Sequence, residues 1–166
     1  MKKHFLIFLL LSLFMSSCGK YTLSNLNLGD AKNIQIDFFP NQASLVEPRL
    51  SQMFTEEFRT RSLQQTRLPL VSNNGDLYFS GEIVDYRIDP MSATVQQTAA
   101  QNRLTITINV RYSSRLNESN DFEKQFSFYS DFDANVQLVG GVLDSALDEI
   151  LERIIQDILN TSLNNW

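Results

Sequence analysis

From Arg103 to Tyr112 the chain alternates polar and apolar residues without a break. Leu104, Ile106, Ile108, Val110 and Tyr112 stand against Arg103, Thr105, Thr107, Asn109 and Arg111. Successive strand side chains point to opposite faces, so this run fixes a strand with one buried face and one wet face. A sheet built around it is covered by helices on one side only. The cover is legible further on. After Gly140-Gly141, the pairs Val142/Leu143, Ala146/Leu147, Ile150/Leu151, Ile154/Ile155 and Ile158/Leu159 recur every four residues. They form a wide apolar stripe on a helix of about five turns. Asp144, Asp148, Glu149, Glu152 and Asp157 occupy its other side.

Ile34, Ile36 and Phe38 alternate with Gln35 and Asp37 as a half-buried strand, which Pro40-Asn41 stops. Ser44-Leu45-Val46-Glu47 fits a capping box, with Pro48 in the first helical turn. Val46, Leu50, Met53, Phe54 and Phe58 then share one face of a helix ending near Gln65. Leu68-Pro69-Leu70-Val71 has the pattern of a short edge strand. Asn73-Asn74-Gly75-Asp76 is a turn. Leu77 to Ile88 reads as a long strand whose apolar residues change parity: Leu77, Phe79 and Ile83, then Val84, Tyr86 and Ile88. A bulge near Gly81 would switch the faces, and Asp89-Pro90 would break the strand. Residues 91–102 are a polar, uncharged connection, and residues 114–121 a hairpin turn. Phe122, Phe126 and Phe128 mark a last strand, alternating with Glu123, Gln125, Ser127 and Tyr129. The expected fold is α+β: a two-layer sandwich with two helices on one face of a four-stranded mixed sheet. The first helix supplies the crossover that parallel strands need. One domain over 33–166 accounts for the chain, whose 43% hydrophobic and 20% charged residues suffice for one core.

The N-terminus reads as a removable signal. Lys2 and Lys3 precede an apolar run, Phe5 to Met15, that falls short of the about 20 helical residues needed to cross a bilayer. Small Ser16 and Ser17 lead to Cys18, the one cysteine of the chain. Met15-Ser16-Ser17-Cys18 resembles a bacterial lipobox, with Met where Leu is usual. Residues 1–17 are then a lipoprotein signal peptide, Cys18 is the acylated first residue, and 18–32 are a tether. As a coil that tether reaches roughly 20 Å. Gly19-Lys20 lacks the acidic run of a surface-export tag, so the expected location is the outer membrane, lipid-anchored and facing the periplasm.

Composition narrows the chemistry. His4 is the only histidine and leaves with the signal, as do Lys2 and Lys3, so the mature chain is more acidic than the −5 of the whole. A chain this acidic does not suit nucleic acid, whose binding needs a basic surface. Without His or a usable Cys, Cys–His and Ser–His–Asp catalysis and most zinc sites are excluded, and the chain is expected to be no enzyme. Asp131-Phe132-Asp133-Ala134-Asn135 opens like a calcium loop, but Val136 and Val142 stand where Gly and Glu are required. Asp85 with Asp89, and Asp121 with Glu123, are carboxylate pairs available for glycoside chemistry, yet so acidic a surface makes such pairs by chance. Gly140-Gly141 lacks the Lys and spacing of a phosphate loop. No cofactor and no metal are expected. Arg103 and Arg111 share one strand face and suit anion contact, or else are solvated charges with cross-strand partners such as Glu123.

Ile34-Gln35-Ile36-Asp37-Phe38-Phe39-Pro40-Asn41, Phe54-Thr55-Glu56, Gly75-Asp76-Leu77-Tyr78-Phe79-Ser80-Gly81-Glu82-Ile83, Asn102-Arg103-Leu104-Thr105-Ile106-Thr107 and the terminal Asn165-Trp166 stand in order behind the lipobox. Together they resemble the LptE-type lipopolysaccharide-assembly lipoproteins of the Bacteroidota kind. The resemblance implies a non-enzymatic outer-membrane lipoprotein that plugs the LptD β-barrel and helps deliver lipopolysaccharide to the outer leaflet. It assigns only Cys18 by motif. The positions of Arg103, Arg111 and Thr107 on the polar face, and of Gln97 in the uncharged loop, make them the candidates for contact with barrel or lipopolysaccharide. As exposed charges, the two arginines should matter little to stability. The alternative is a binding module of another envelope complex, resembling a curli-secretion or peptidoglycan-synthase-activator lipoprotein.

Overall fold

The computed structural model describes residues 28–91 and 100–163. In chain order these form β1 (Ile34–Ile36), α1 (Leu50–Thr66), β2 (Leu70–Val71), β3 (Leu77–Met91), β4 (Gln101–Ser114), a 3₁₀ turn (Glu118–Asn120), β5 (Phe122–Asp133) and α2 (Gly140–Leu163). The sheet order is β2-β1-β3-β4-β5. β1 runs parallel to both β2 and β3, and β3, β4 and β5 are antiparallel. The sheet therefore has five strands rather than four, because Leu70–Val71 joins as the edge. Signal, Cys18, Gln97 and Asn165-Trp166 lie outside the described residues.

Both helices lie on one face. Leu50, Phe54 and Phe58 of α1 and a stripe from Leu143 to Leu163 of α2 are buried with Phe79, Leu104, Ile106, Ile108 and Val110 of the sheet. The aromatic rings link up across the layers. Phe54 and Phe58 flank Phe39 at 5.0 and 6.0 Å, Phe58 meets Phe79 at 5.1 Å, and Phe79 meets Tyr112 at 4.8 Å. The helices run side by side in the same direction, joined by Arg49–Asp144, Arg61–Glu152 and Gln65–Gln156.

Four local expectations change. α1 begins at Leu50, not in a Ser44–Glu47 capping box, and its N-cap Arg49 makes no side-chain cap. The preceding chain is claimed by β3 instead: Gln42 N donates to Ile83 O at 2.8 Å, and Ile83 N donates to Pro40 O at 2.9 Å. Val46 is consequently exposed, as is Phe38, since it is Phe39 that turns inward. The bulge falls between Ile83 and Asp85, not at Gly81. Gly81 is needed for close approach: a Cβ there would lie 2.1 Å from Asn109 O and 2.6 Å from Phe39 Cε1. Gly75 serves the same purpose where the chain crosses β1, since its Cβ would lie 2.6 Å from Gln35 Cβ. Finally, β3 continues through Asp89-Pro90 to Met91, with Pro90 opposite Asn102. β1 pairs only with the start of β3, so Pro90 stands where one flank has no strand and proline is tolerated.

Candidate interaction face of the sheet

The face away from the helices carries the polar residues of β4, of which Arg103, Thr107, Asn109 and Arg111 find partners on β3 or β5 while Thr105 is buried. Arg111 sits opposite Ser80 and Glu123. Its Nη2 donates to Glu82 Oε2 at 2.7 Å, and its Nη1 reaches Glu82 Oε1 at 3.2 Å and Glu123 Oε1 at 3.4 Å. Asn109 Nδ2 donates to the same two carboxylates at 2.9 and 2.8 Å. Thr107 Oγ1 donates to Ser127 Oγ at 2.9 Å. Arg103 forms a two-pronged pair with Asp131, at 2.7 and 2.8 Å, and lies 3.5 Å above the Tyr129 ring. On the β1 side, the Tyr78 hydroxyl donates to Asp37 Oδ2 at 2.6 Å.

These contacts shift the ionisations in consistent directions. The Arg111 guanidinium, helped by Asn109, holds the Glu82 carboxyl below its ordinary value. The Arg103 pair does the same to Asp131. Tyr78 is pushed up, first by its bond to Asp37 and then by burial. Both arginines named from sequence are thus already engaged by carboxylates. Around them Asp37, Asp85, Asp89 and Asp133 leave the face with more negative than positive charge.

The other candidates are placed as follows. Asp85 and Asp89 are bridged by Arg87 between them. Asp121 Oδ1 accepts Ser114 N at 2.8 Å, closing the hairpin turn, while Glu123 serves Arg111 and Asn109. Asp131 of the calcium-like run is bound to Arg103, and Asp133 Oδ1 accepts from Asn135 N at 2.8 Å as a local turn. Among the described residues, no group of three or more His, Cys, Asp or Glu is placed to hold a metal ion, and no helix is long and apolar enough to cross a membrane. Sequence reasoning missed Glu82, Asp131 and Tyr129 as partners. Tyr112 pairs with Phe122, one residue off the register that a 114–121 turn gives, and this puts Asp131 opposite Arg103, whereas Glu82 was hidden by the bulge in β3.

Fold and face together define a class: an α+β sandwich with one sheet face sealed by helices and the other presented as a polar, internally paired surface. Residues 31–162 match the family described as LptE, lipopolysaccharide-assembly, and the chain belongs to that family. Among solved structures, the hypothetical protein CT253 from Chlamydia trachomatis is similar at a TM-score of 0.56 and 9% identity, over 81% of this chain and 99% of that one. Protein XCC0632 from Xanthomonas campestris is similar at 0.54 and 7% identity, over 84% and 87%. Rare lipoprotein B from Shewanella oneidensis aligns at 0.41 and 13% identity, over 78% and 89%. At such identities the likeness to the first two is one of fold alone. No curated protein matches the sequence.

Proposed function

We propose that this chain is an outer-membrane lipoprotein, anchored through Cys18 and facing the periplasm, that plugs an LptD-type β-barrel and assists delivery of lipopolysaccharide to the outer leaflet. The observation that carries the reading is the family match over nearly the whole sandwich, residues 31–162. The lipobox before it supports the anchor. The role is one of binding and assembly rather than catalysis. Carboxylates already occupy Arg103 and Arg111, so binding of an anionic lipid at this face would have to displace Asp131 or Glu82 from its guanidinium. Depletion of the protein tests the reading. The barrel should then fail to mature, and surface lipopolysaccharide should fall. Normal barrel and normal surface lipopolysaccharide after depletion would overturn it.

A further inference from the structure

The two edges of the sheet are finished differently. β2 is an edge of two residues. Beyond its last pair with β1, Gln35–Val71, Arg59 of α1 takes the place of a strand: its Nη2 and Nε donate to Ile36 O at 2.9 and 3.3 Å. β5 forms the other edge with twelve residues. Its register against β4 runs unshifted from Tyr112–Phe122 to Gln101–Asp133. Ala134 N donates to Ala100 O at 3.0 Å, which fixes the phase of that ladder. Hydrogen-bonded pairs alternate along an antiparallel ladder, so the even-numbered residues of β5 bond to β4. The N–H and C=O groups of Glu123, Gln125, Ser127, Tyr129, Asp131 and Asp133 point away from it. All six residues are exposed, and among the described residues no strand lies beyond them.

Proteins blunt a free edge by keeping it short, by bulging it, or by setting proline or lysine in it. β5 is long and has no proline, glycine or bulge. Its one lysine, Lys124, lies 5.1 Å over the Phe126 ring on the helix side. A row of free amides and carbonyls at strand spacing is matched by an extended peptide, which adds to the sheet as a further strand. The side chains of β5 state what that peptide carries. On the helix side, Phe122, Phe128 and Phe132 are only partly buried against the core, so apolar residues of an added strand would cover them. On the polar side the row holds Glu123, Asp131 and Asp133 and no positive charge. The same row opposes self-pairing. An antiparallel pair with a second copy centred on Ser127 sets Glu123 against Asp131, and one centred on Phe128 sets Glu123 against Asp133. Those are the registers of longest overlap, and like charges facing across strands disfavour both. A strand with Lys or Arg at the alternate positions meets these acids with opposite charge.

We propose that the β5 edge binds an extended segment of a partner protein, one with basic and apolar residues in alternation, as a sixth strand of the sheet. This site stands apart from the barrel reading. The probes are synthetic dodecapeptides, titrated onto the mature chain carrying Cys18→Ala and read by amide exchange. A peptide of alternating Lys and Val should bind at least tenfold more tightly than one of alternating Glu and Val. It should slow exchange at the amides of Gln125, Ser127 and Tyr129. N-methylation at every Lys blocks an antiparallel added strand, and at every Val a parallel one. One of these two forms should therefore lose binding while the other keeps it. Ser127→Pro removes an outward N–H and no bond to β4. It should weaken binding at least tenfold and unfold at the temperature of Ser127→Ala, which should bind like wild type. If Ser127→Pro does not fold, the N-methylated peptides decide. No slowing at the three amides, or equal binding of both N-methylated forms, overturns the proposal. Amides already protected in the free monomer would mean that the chain covers its own edge. A dimer that Ser127→Pro dissolves would assign the edge to a second copy. Either result also overturns the partner strand.

Discussion

Arg103 and Arg111 lie where alternation puts them, yet their environment is set by β3 and β5. Reversing them to Glu would place a carboxylate against Asp131 at one site and against Glu82 and Glu123 at the other. Like charges opposed across strands destabilise a sheet. We therefore expect Arg103→Glu/Arg111→Glu to lower the unfolding temperature measurably. This departs from the expectation for solvated charges, and an unchanged melt would show that the pairs contribute nothing. The same pairs make stability sensitive to acid. Glu82 and Asp131 are held below their unfolded values, so their contribution is full above the ordinary carboxylate range. It is lost as the pH falls below about 4 toward the depressed folded values. Glu82→Gln should reduce stability at pH 7 and flatten the acid-side decline in a series of melts. An equally steep decline in that variant would place the effect elsewhere.

β4 was the most legible element, because ten residues of strict alternation leave only one way to lay its faces on a sheet. Leu104, Ile106, Ile108 and Val110 are fully buried, while Arg111 is exposed and Thr107 intermediate. α2 was equally clear from its four-residue recurrence. The start of α1 was not. The local signal of Ser44 and Glu47 competes with backbone bonds from Pro40 and Gln42 to Ile83, more than forty residues on. Such a long-range bridge leaves no trace in a local pattern. Gly81 misled for a related reason: glycine marks bulges and close approaches alike, and only Phe39 and Asn109 packed over it distinguish the two. The polar face was legible as polar, but not as paired, because register across β3 shifts at the bulge. The one-sided sheet is tested by a matched pair. Ile106→Ala should cost about 2–5 kcal/mol through lost burial and a cavity. Thr107→Ala, which gives up one exposed hydroxyl contact with Ser127, should cost under about 1 kcal/mol. Denaturant melts giving equal losses for the two would mean that both faces are covered.

At the scale of the whole molecule the organisation is polar along the β3 axis. The N-terminal segment enters beside Asp76 at one end, and Met91, at the other end of β3, lies about 45 Å away along the strand. An anchor on that segment depends on Cys18 being acylated. One acyl chain gives only marginal, reversible membrane attachment, since each buried CH₂ contributes about 0.8 kcal/mol, whereas two membrane signals hold stably. A multiply acylated Cys18 therefore acts as a durable anchor, and a free thiol at the same place provides none. Within the described residues, no helix is long and apolar enough to cross a membrane. Cys18→Ala should consequently leave the precursor uncleaved, with its apolar Phe5–Met15 run still attached, or release a mature chain into the soluble periplasmic fraction. Fractionation and the mass of the purified protein distinguish these two outcomes. A Cys18→Ala chain that is still trimmed after Ser17 and still sediments with the outer membrane would show that the anchor is not at Cys18. The domain would then be held at the membrane through its partner alone.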